Sequence, residues 1–170
     1  MTKLFKKYLN IIFLTILTVI SIILYKDFGI SLDENITRRN GLVNLKYILE
    51  FFSLSNLSTK EIFNEIENLN DYFDKNYGAF FEVLNVFFIE IILGKKSFQD
   101  IFYARHLVNH ILFLISLFYF FKLCKKLHFN IYLSSLGVIL LYSTPRIFSN
   151  SFYNGKDIAF LSIFIILIYY

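Results

Sequence analysis

At the end of its first apolar run the chain reads Phe28-Gly-Ile-Ser-Leu-Asp-Glu-Asn-Ile-Thr-Arg-Arg-Asn-Gly41. This stretch holds two adjacent carboxylates, Asp33 and Glu34, and two adjacent guanidinium groups, Arg38 and Arg39. Ionised groups beside hydrocarbon are costly, so they usually serve a purpose there. A loop that merely leaves a membrane is the other interpretation, because an Asp-Glu pair alone is a weak signal. The surrounding sequence decides between the two.

The composition predicts an integral membrane protein. Hydrophobic residues make up 56% of the 170, whereas soluble domains contain about 45–50%. Basic residues flank the apolar runs, as topology signals do, and are not gathered on one segment as in nucleic-acid-binding proteins. We therefore expect no nucleic-acid partner. The single Cys124 excludes a disulfide within the chain.

The first apolar run, Tyr8–Tyr25, contains 18 residues without a charge and follows Lys3, Lys6 and Lys7. The apolar region of a signal peptide has about 7–15 residues and ends at a small-residue cleavage site. Here the run ends in Leu-Tyr-Lys-Asp, so we expect a transmembrane helix that is retained. The positive-inside rule places its lysine-rich start in the cytoplasm.

Residues 26–106 form a long polar segment, which carries twelve of the thirteen acidic residues. We expect an extracytoplasmic loop with two helices that lie at the membrane surface. The pattern over Asn44–Leu54 is amphipathic. Ser58 and Glu61 have the spacing of a capping box at the start of the second helix. The apolar residues that follow at helical spacing are Ile62, Phe63, Ile66 and Leu69.

The segment Gly78–Gly94 is apolar but carries Glu82, Asn85 and Glu90. On a helix these three fall within roughly 140° of one another and form a polar stripe. A helix that faces lipid would not carry two carboxylates. It is therefore either a flat interfacial helix or a span that faces a cavity, and we expect both carboxylates to face that cavity or water.

Two further spans are predicted, Leu107–Phe121 and a helix from Leu127 or Ile131 to Thr144. The lysines between them, residues 122–126, are cytoplasmic if Gly78–Gly94 lies flat. That topology puts Asp33 and Asp157 on the same outer side. The fold class is all-α, with about four spans and a long first outer loop.

The last apolar run, Ile158–Tyr170, has 13 residues, fewer than the roughly 20 that a span needs. We therefore expect the chain to be the start of a longer protein.

Several motifs follow one another in a characteristic order. They are Asp33-Glu34 after the first span, Ala-Arg-His-Leu at 104–107, Lys-Leu-Cys-Lys-Lys-Leu at 122–127, and Pro-Arg-Ile-Phe-Ser-Asn-Ser-Phe-Tyr-Asn-Gly-Lys-Asp at 145–157. This ordered set resembles the N-terminal part of the GT-C membrane glycosyltransferases. It is closest to the protein O-mannosyltransferase and aminoarabinose transferase group, glycosyltransferase family 39. One departure is Tyr77-Gly78-Ala79, where the family usually has a Pro-Pro motif.

The resemblance implies transfer of a sugar from a polyprenyl-phosphate donor to an extracytoplasmic acceptor, a protein or a glycolipid, with inversion. It implies a multi-pass protein of the bacterial inner membrane. Asp33 is implied as the catalytic residue of the first outer loop, with Glu34 beside it and Asp157 as the second acidic position. Arg105 stands where the family places an Arg at the start of its second span.

The chemistry of inverting transfer needs a base for the proton of the acceptor and cations for the leaving phosphate. A carboxylate suits the first role, and Arg suits the second through paired hydrogen bonds. Arg105, Arg39 and Lys156 are the candidate ligands of the donor phosphate. Arg38 and Arg39 are also candidates for anchoring to anionic lipid headgroups.

A resident cofactor is not identified by the sequence, and a divalent metal beside Glu34 stays open. His106 and His110 have a metal-binding spacing, but no third ligand is close in the sequence. The alternative function is a non-enzymatic integral membrane protein, or a glycosyltransferase relative that has lost activity.

Overall fold

The computed structural model describes residues 3–54, 57 and 61–170, and within these ranges the side chains of residue 12 and of residue 15 onward. This part of the chain is all-helical and contains no strand, as the sequence predicts. It divides into two compact units. The first unit comprises Met1–Gly29 and His106–Tyr170, and the second comprises Ile30–Arg105.

The described α-helices are joined by short connections, except for the long segment between Phe51 and Phe80. They are α1 Lys3–Leu24, α2 Leu32–Phe51, α3 Phe80–Val86, α4 Phe98–Lys126, α5 Ile131–Ser143, α6 Pro145–Tyr153 and α7 Gly155–Tyr169. A short 3₁₀ helix covers Glu61–Phe63, and a π-helix, Phe87–Ile92, continues α3.

One described helix, α4, is long and apolar enough to cross a membrane. The pair α5 and α6 passes the same test jointly but is bent by 64° between the two helices. The bend follows from Thr144-Pro145, because a proline holds the residue before it in an extended conformation and starts a new helix. The number of such helices is therefore one, or two if the bent pair is one span. The four predicted spans stay a prediction.

The first unit has an apolar core built from its own helices. Its buried residues are Leu17, Phe113, Leu114, Leu117, Val138 and Ile158. They come from α1, α4, α5 and α7, so each of these helices buries one face.

The second unit has a separate core. Its buried residues are Leu42, Leu45, Leu49, Phe63 and Val86. At Gly41, helices α2 and α3 approach so closely that an added Cβ would lie 2.7 Å from the Glu82 carbonyl oxygen. Only a residue without a side chain allows this backbone contact.

Two helix predictions for the second unit need correction. The helix expected over Asn44–Leu54 covers Leu32–Phe51, so the charged stretch from Asp33 to Arg39 is the start of a helix and not a loop. The prediction of a second helix is wrong after Phe63, because the chain there is helical only over the 3₁₀ turn Glu61–Phe63. The expected cap of that helix, Ser58, lies outside the described residues.

The segment after Phe63 proceeds by short turns, with hydrogen bonds from the Ile66 N–H to the Phe63 carbonyl and from the Asp71 N–H to the Asn68 carbonyl. Asn and Asp side chains compete with helical hydrogen bonds and favour such turns. The apolar residues Phe63 and Ile66 pack against the core of the second unit without forming a helical face.

Candidate functional site

The two adjacent carboxylates at the start of α2 have different surroundings. Glu34 is 2% exposed, and its Oε2 accepts a hydrogen bond from the Ser31 backbone N–H at 2.8 Å, as part of a capping box. Asp33 is exposed, and its carboxylate forms no hydrogen bond or ion pair with the described residues. Glu34 therefore stabilises the helix start, while the carboxylate of Asp33 is accessible.

The capping box is a local feature of the sequence, because Ser31 and Glu34 stand three residues apart. Asp33 and Glu34 are adjacent and chemically alike, so the sequence presents them as a pair. The local hydrogen bond distinguishes them, and it leaves Asp33 as the better candidate for proton transfer.

Arg105 lies near the start of α4 and is buried in the second unit. Its Nη2 donates to Glu82 Oε2 at 2.5 Å, and the two side chains are 2% and 7% exposed. The guanidinium carbon is 5.8 Å from the centre of the Phe102 ring. The Nε and Nη1 atoms have no hydrogen-bond partner among the residues that the structure describes. Buried donors are rarely left unpaired, so this pair of nitrogens calls for an acceptor.

Asn85 of α3 carries a further buried donor of the second unit. It is 2% exposed, and its Nδ2 has no hydrogen-bond partner in the described part of the chain. It stands three residues after Glu82, a spacing that places both on one face of the helix. The sequence showed this polar stripe, but it did not show that the amide donor would be buried and unpaired.

The two carboxylates of the stripe do not face water or an open cavity, which corrects the sequence expectation. Glu90 is paired with Arg38, whose Nε and Nη2 donate to the two carboxylate oxygens at 2.8 and 2.6 Å. Glu82 is paired with Arg105. The Arg partners are 52 and 23 residues away in sequence, and pairing with them allows the carboxylates to be buried.

Arg39, a candidate phosphate ligand, is paired on the surface. Its Nη2 donates to Glu67 Oε1 at 2.7 Å, and each side chain is almost half exposed. The guanidinium is therefore accessible, and an exposed pair of this kind is weak enough to exchange partners.

Asp157 and Lys156 belong to the first unit and lie in the first turn of α7. Both side chains are exposed. Asn154 caps this helix, because its Oδ1 accepts from the Asp157 N–H at 3.1 Å and its Nδ2 donates to Asp157 Oδ2 at 3.0 Å. The carboxylate of Asp157 therefore accepts a hydrogen bond from the capping residue, whereas the carboxylate of Asp33, in the second unit, accepts none from the described residues.

The two candidate metal-binding histidines are fully buried in the first unit. His110 Nδ1 lies 2.7 Å from Ser151 Oγ, and the hydroxyl of Ser151 donates to the Phe148 carbonyl. Because that hydroxyl proton is used, His110 donates from Nδ1. The described residues contain no group of three or more His, Cys, Asp or Glu that could hold a metal ion.

Comparison with protein families, curated proteins and solved structures finds no match to the chain.

Proposed function

We propose that the chain is part of a membrane glycosyltransferase of the GT-C type. It transfers a sugar from a polyprenyl-phosphate donor to an extracytoplasmic acceptor, with inversion at the anomeric carbon. The observation that carries the proposal is the difference between Asp33 and Glu34. A carboxylate that is exposed and unpaired, beside one that is used for capping, suits a group kept for proton transfer.

Asp33 acts as the general base in this proposal. It takes the proton of the acceptor hydroxyl as that oxygen attacks the anomeric carbon. The bond between the anomeric carbon and the donor phosphate oxygen breaks on the opposite face, and polyprenyl phosphate leaves with the bonding electrons. The acceptor gains the sugar and Asp33 gains the proton, so the step is balanced.

Arg105 stabilises the charge that develops on the leaving phosphate. Its open Nε and Nη1 atoms are adjacent donors of the planar guanidinium, which matches two phosphate oxygens. Asn85 Nδ2 supplies a further donor. Since Arg105 is 2% exposed, donor binding must open the edge of the guanidinium that Glu82 does not occupy.

The membrane arrangement of the proposal has about four spans and a cytoplasmic N-terminus in the bacterial inner membrane. Helix α4 serves as one span, and the bent pair of α5 and α6 serves as a broken or re-entrant span. The second unit then forms the first extracytoplasmic loop. Support comes from the apolar composition and from the lysines at the end of α4.

Asp157, Lys156 and Arg39 have supporting roles in the proposal. Asp157 is the second acidic position on the outer side. Lys156 and Arg39 attract the anionic donor through exposed cationic groups. Glu34 stabilises the helix that presents Asp33.

A non-enzymatic membrane protein is the second candidate. It is favoured by the ion pairs of the second unit, in which Arg38, Arg39 and Arg105 each bond a carboxylate of the same unit. A structural unit would use its charges in this way. The activity of the protein distinguishes the two candidates.

The test measures release of polyprenyl phosphate in membranes that contain the protein. The donors are polyprenyl-phosphate mannose, glucose and aminoarabinose, each with a labelled lipid, and nucleotide sugars serve as the comparison. We expect release from at least one lipid donor and no direct use of nucleotide sugars. Arg105→Lys should lower the rate about tenfold or more because the forked donor is lost, while Arg146→Lys, an exposed Arg of α6, should not. No release from any lipid donor would favour the non-enzymatic candidate.

A further inference from the structure

The second unit contains an open cavity that the proposed transfer step does not use. Its volume is about 370 Å³. The residues that line it are Val43, Lys46, Tyr47 and Glu50 of α2, and Asn68, Leu69, Asn70 and Asp71 of the turn segment. Asp33 and Arg105 do not line it.

The floor of the cavity is apolar and one wall carries an aromatic ring. Val43 is fully buried and Leu69 is half-buried. Tyr47 is 45% exposed, so part of its ring is free to contact a ligand. A sugar ring has an apolar face of C–H groups, and a Tyr side chain offers a flat apolar surface with a polar tip.

The rim of the cavity is polar, and its side chains are available to form hydrogen bonds with a ligand. The side chains of Glu50, Asn68, Asn70 and Asp71 form no hydrogen bond or ion pair with the described residues. Carboxylates accept hydrogen bonds, and carboxamides both donate and accept them. Sugar hydroxyls also donate and accept hydrogen bonds, so these side chains can bind two neighbouring hydroxyls of one sugar ring.

The charges of the lining favour a neutral ligand over an anion or a divalent cation. Two carboxylates, Glu50 and Asp71, stand against one ammonium group, Lys46, whose Nζ already donates to the Ile66 carbonyl at 2.7 Å. A phosphate would meet net negative charge. A divalent cation would meet the ammonium of Lys46, and the described residues offer it no group of three or more His, Cys, Asp or Glu side chains. A neutral polyhydroxylated ligand meets neither obstacle.

The size of the cavity fits the same ligand class. Small-molecule sites have volumes of roughly 300–1,000 Å³, and a cavity of about 370 Å³ lies near the lower end. It suits a single sugar unit, and it is too small for a polyprenyl chain.

We propose that this cavity binds a neutral sugar unit of the acceptor. The binding itself follows from the lining of the cavity, whereas its role as the acceptor subsite rests on the proposed function. Tyr47 contacts the face of the ring, and Asn68 and Asp71 bind its hydroxyls.

The test uses the protein in nanodiscs, or in a detergent without a sugar headgroup, because glycoside detergents would compete. Saturation-transfer NMR is recorded with methyl α-mannoside, methyl α-glucoside and methyl β-galactoside. We expect saturable binding of at least one glycoside. Asn68→Ala should weaken it about fivefold and Tyr47→Ala by about as much or more, since each removes a direct contact. Asn76→Ala, an exposed Asn outside the lining, should leave the affinity unchanged.

Three results would overturn the inference: no glycoside binds, Asn76→Ala weakens binding as much as Asn68→Ala, or calcium chloride displaces the glycoside. Asp33→Asn separates the inference from the proposed function, because it should abolish transfer and retain glycoside binding. Transfer without glycoside binding would contradict the sugar cavity alone. Glycoside binding without transfer by the unmodified protein would contradict the proposed function alone.

Discussion

Arg105 and Glu82 form a buried ion pair that joins α4 to α3 within the second unit, with Nη2 and Oε2 2.5 Å apart. Removing one partner of such a pair leaves an uncompensated charge, which costs about 3–5 kcal/mol. We therefore expect Glu82→Gln to destabilise the protein by about 3 kcal/mol, as measured by denaturant unfolding in micelles.

The matched control is Glu67→Gln, which breaks the exposed pair with Arg39. Exposed pairs contribute about 0–1 kcal/mol, so this change should be nearly neutral. Equal effects of the two variants would show that the Glu82 pair is not buried in solution.

At Gly41 the backbones of α2 and α3 are in close contact. In Gly41→Ala the new Cβ would meet the backbone carbonyl of Glu82 at 2.7 Å and Val86 Cγ2 at 3.0 Å. Because backbone atoms must move, we expect a loss of about 1–3 kcal/mol in thermal unfolding. Gly78→Ala meets no atom within 4 Å and should be neutral or slightly stabilising. A neutral Gly41→Ala would argue against the helix packing.

Tyr72 gives the second unit a dependence on alkaline pH. Its hydroxyl donates to Asn40 Oδ1, and Asn40 Nδ2 donates to Asp74 Oδ2 at 2.8 Å. Burial, and then the charge of Asp74, raise the pKa of Tyr72 above its ordinary value near 10. The unfolded chain then loses this proton first, so the contribution to stability is present below pH about 10 and is lost as the pH rises through the folded pKa.

The measurement is thermal unfolding of the wild type and of Tyr72→Phe between pH 9 and pH 11. We expect the wild type to lose stability more steeply above pH about 10. Tyr72→Phe should be less stable at neutral pH, because the buried Asn40 oxygen loses its donor. Identical pH profiles would contradict the raised pKa.

The proposed topology predicts opposite sides for two lysine positions. Lys95→Cys and Lys125→Cys, each in a Cys124→Ser background, are labelled with an impermeant maleimide in intact cells. Both positions are exposed in the structure. Residue 95 should react from outside, and residue 125 only after permeabilisation. If residue 95 is protected and residue 125 reacts from outside, then Gly78–Gly94 crosses the membrane; if both react from outside, then α4 does not cross it.

Local patterns in the sequence were sufficient for the helical class and for the apolar helices. The predicted span Leu107–Phe121 lies within α4, and the helix predicted to start at Leu127 or Ile131 begins at Ile131. The helix predicted after Ser58 failed, because its Asn- and Asp-rich turns compete with helical hydrogen bonds. Apolar spacing alone could not reveal that competition.

The candidate site shows a different limit. The polar stripe with Glu82, Asn85 and Glu90 was visible in the sequence, but its burial depends on Arg38 and Arg105, which are distant in sequence. Such pairings are set by the packing of α2, α3 and α4 and leave no periodic signal. The division of roles between Asp33 and Glu34 was instead a local feature, encoded by Ser31.

The most direct test of the central claim compares sugar transfer by Asp33→Asn and Asp27→Asn at saturating donor. Asp27 is the matched control, because it is an exposed carboxylate six residues before Asp33. General bases contribute about 100-fold or more to rate, so Asp33→Asn should lose transfer by at least about that factor, with donor binding retained and Asp27→Asn unaffected. Transfer by Asp33→Asn at the wild-type rate would contradict the account.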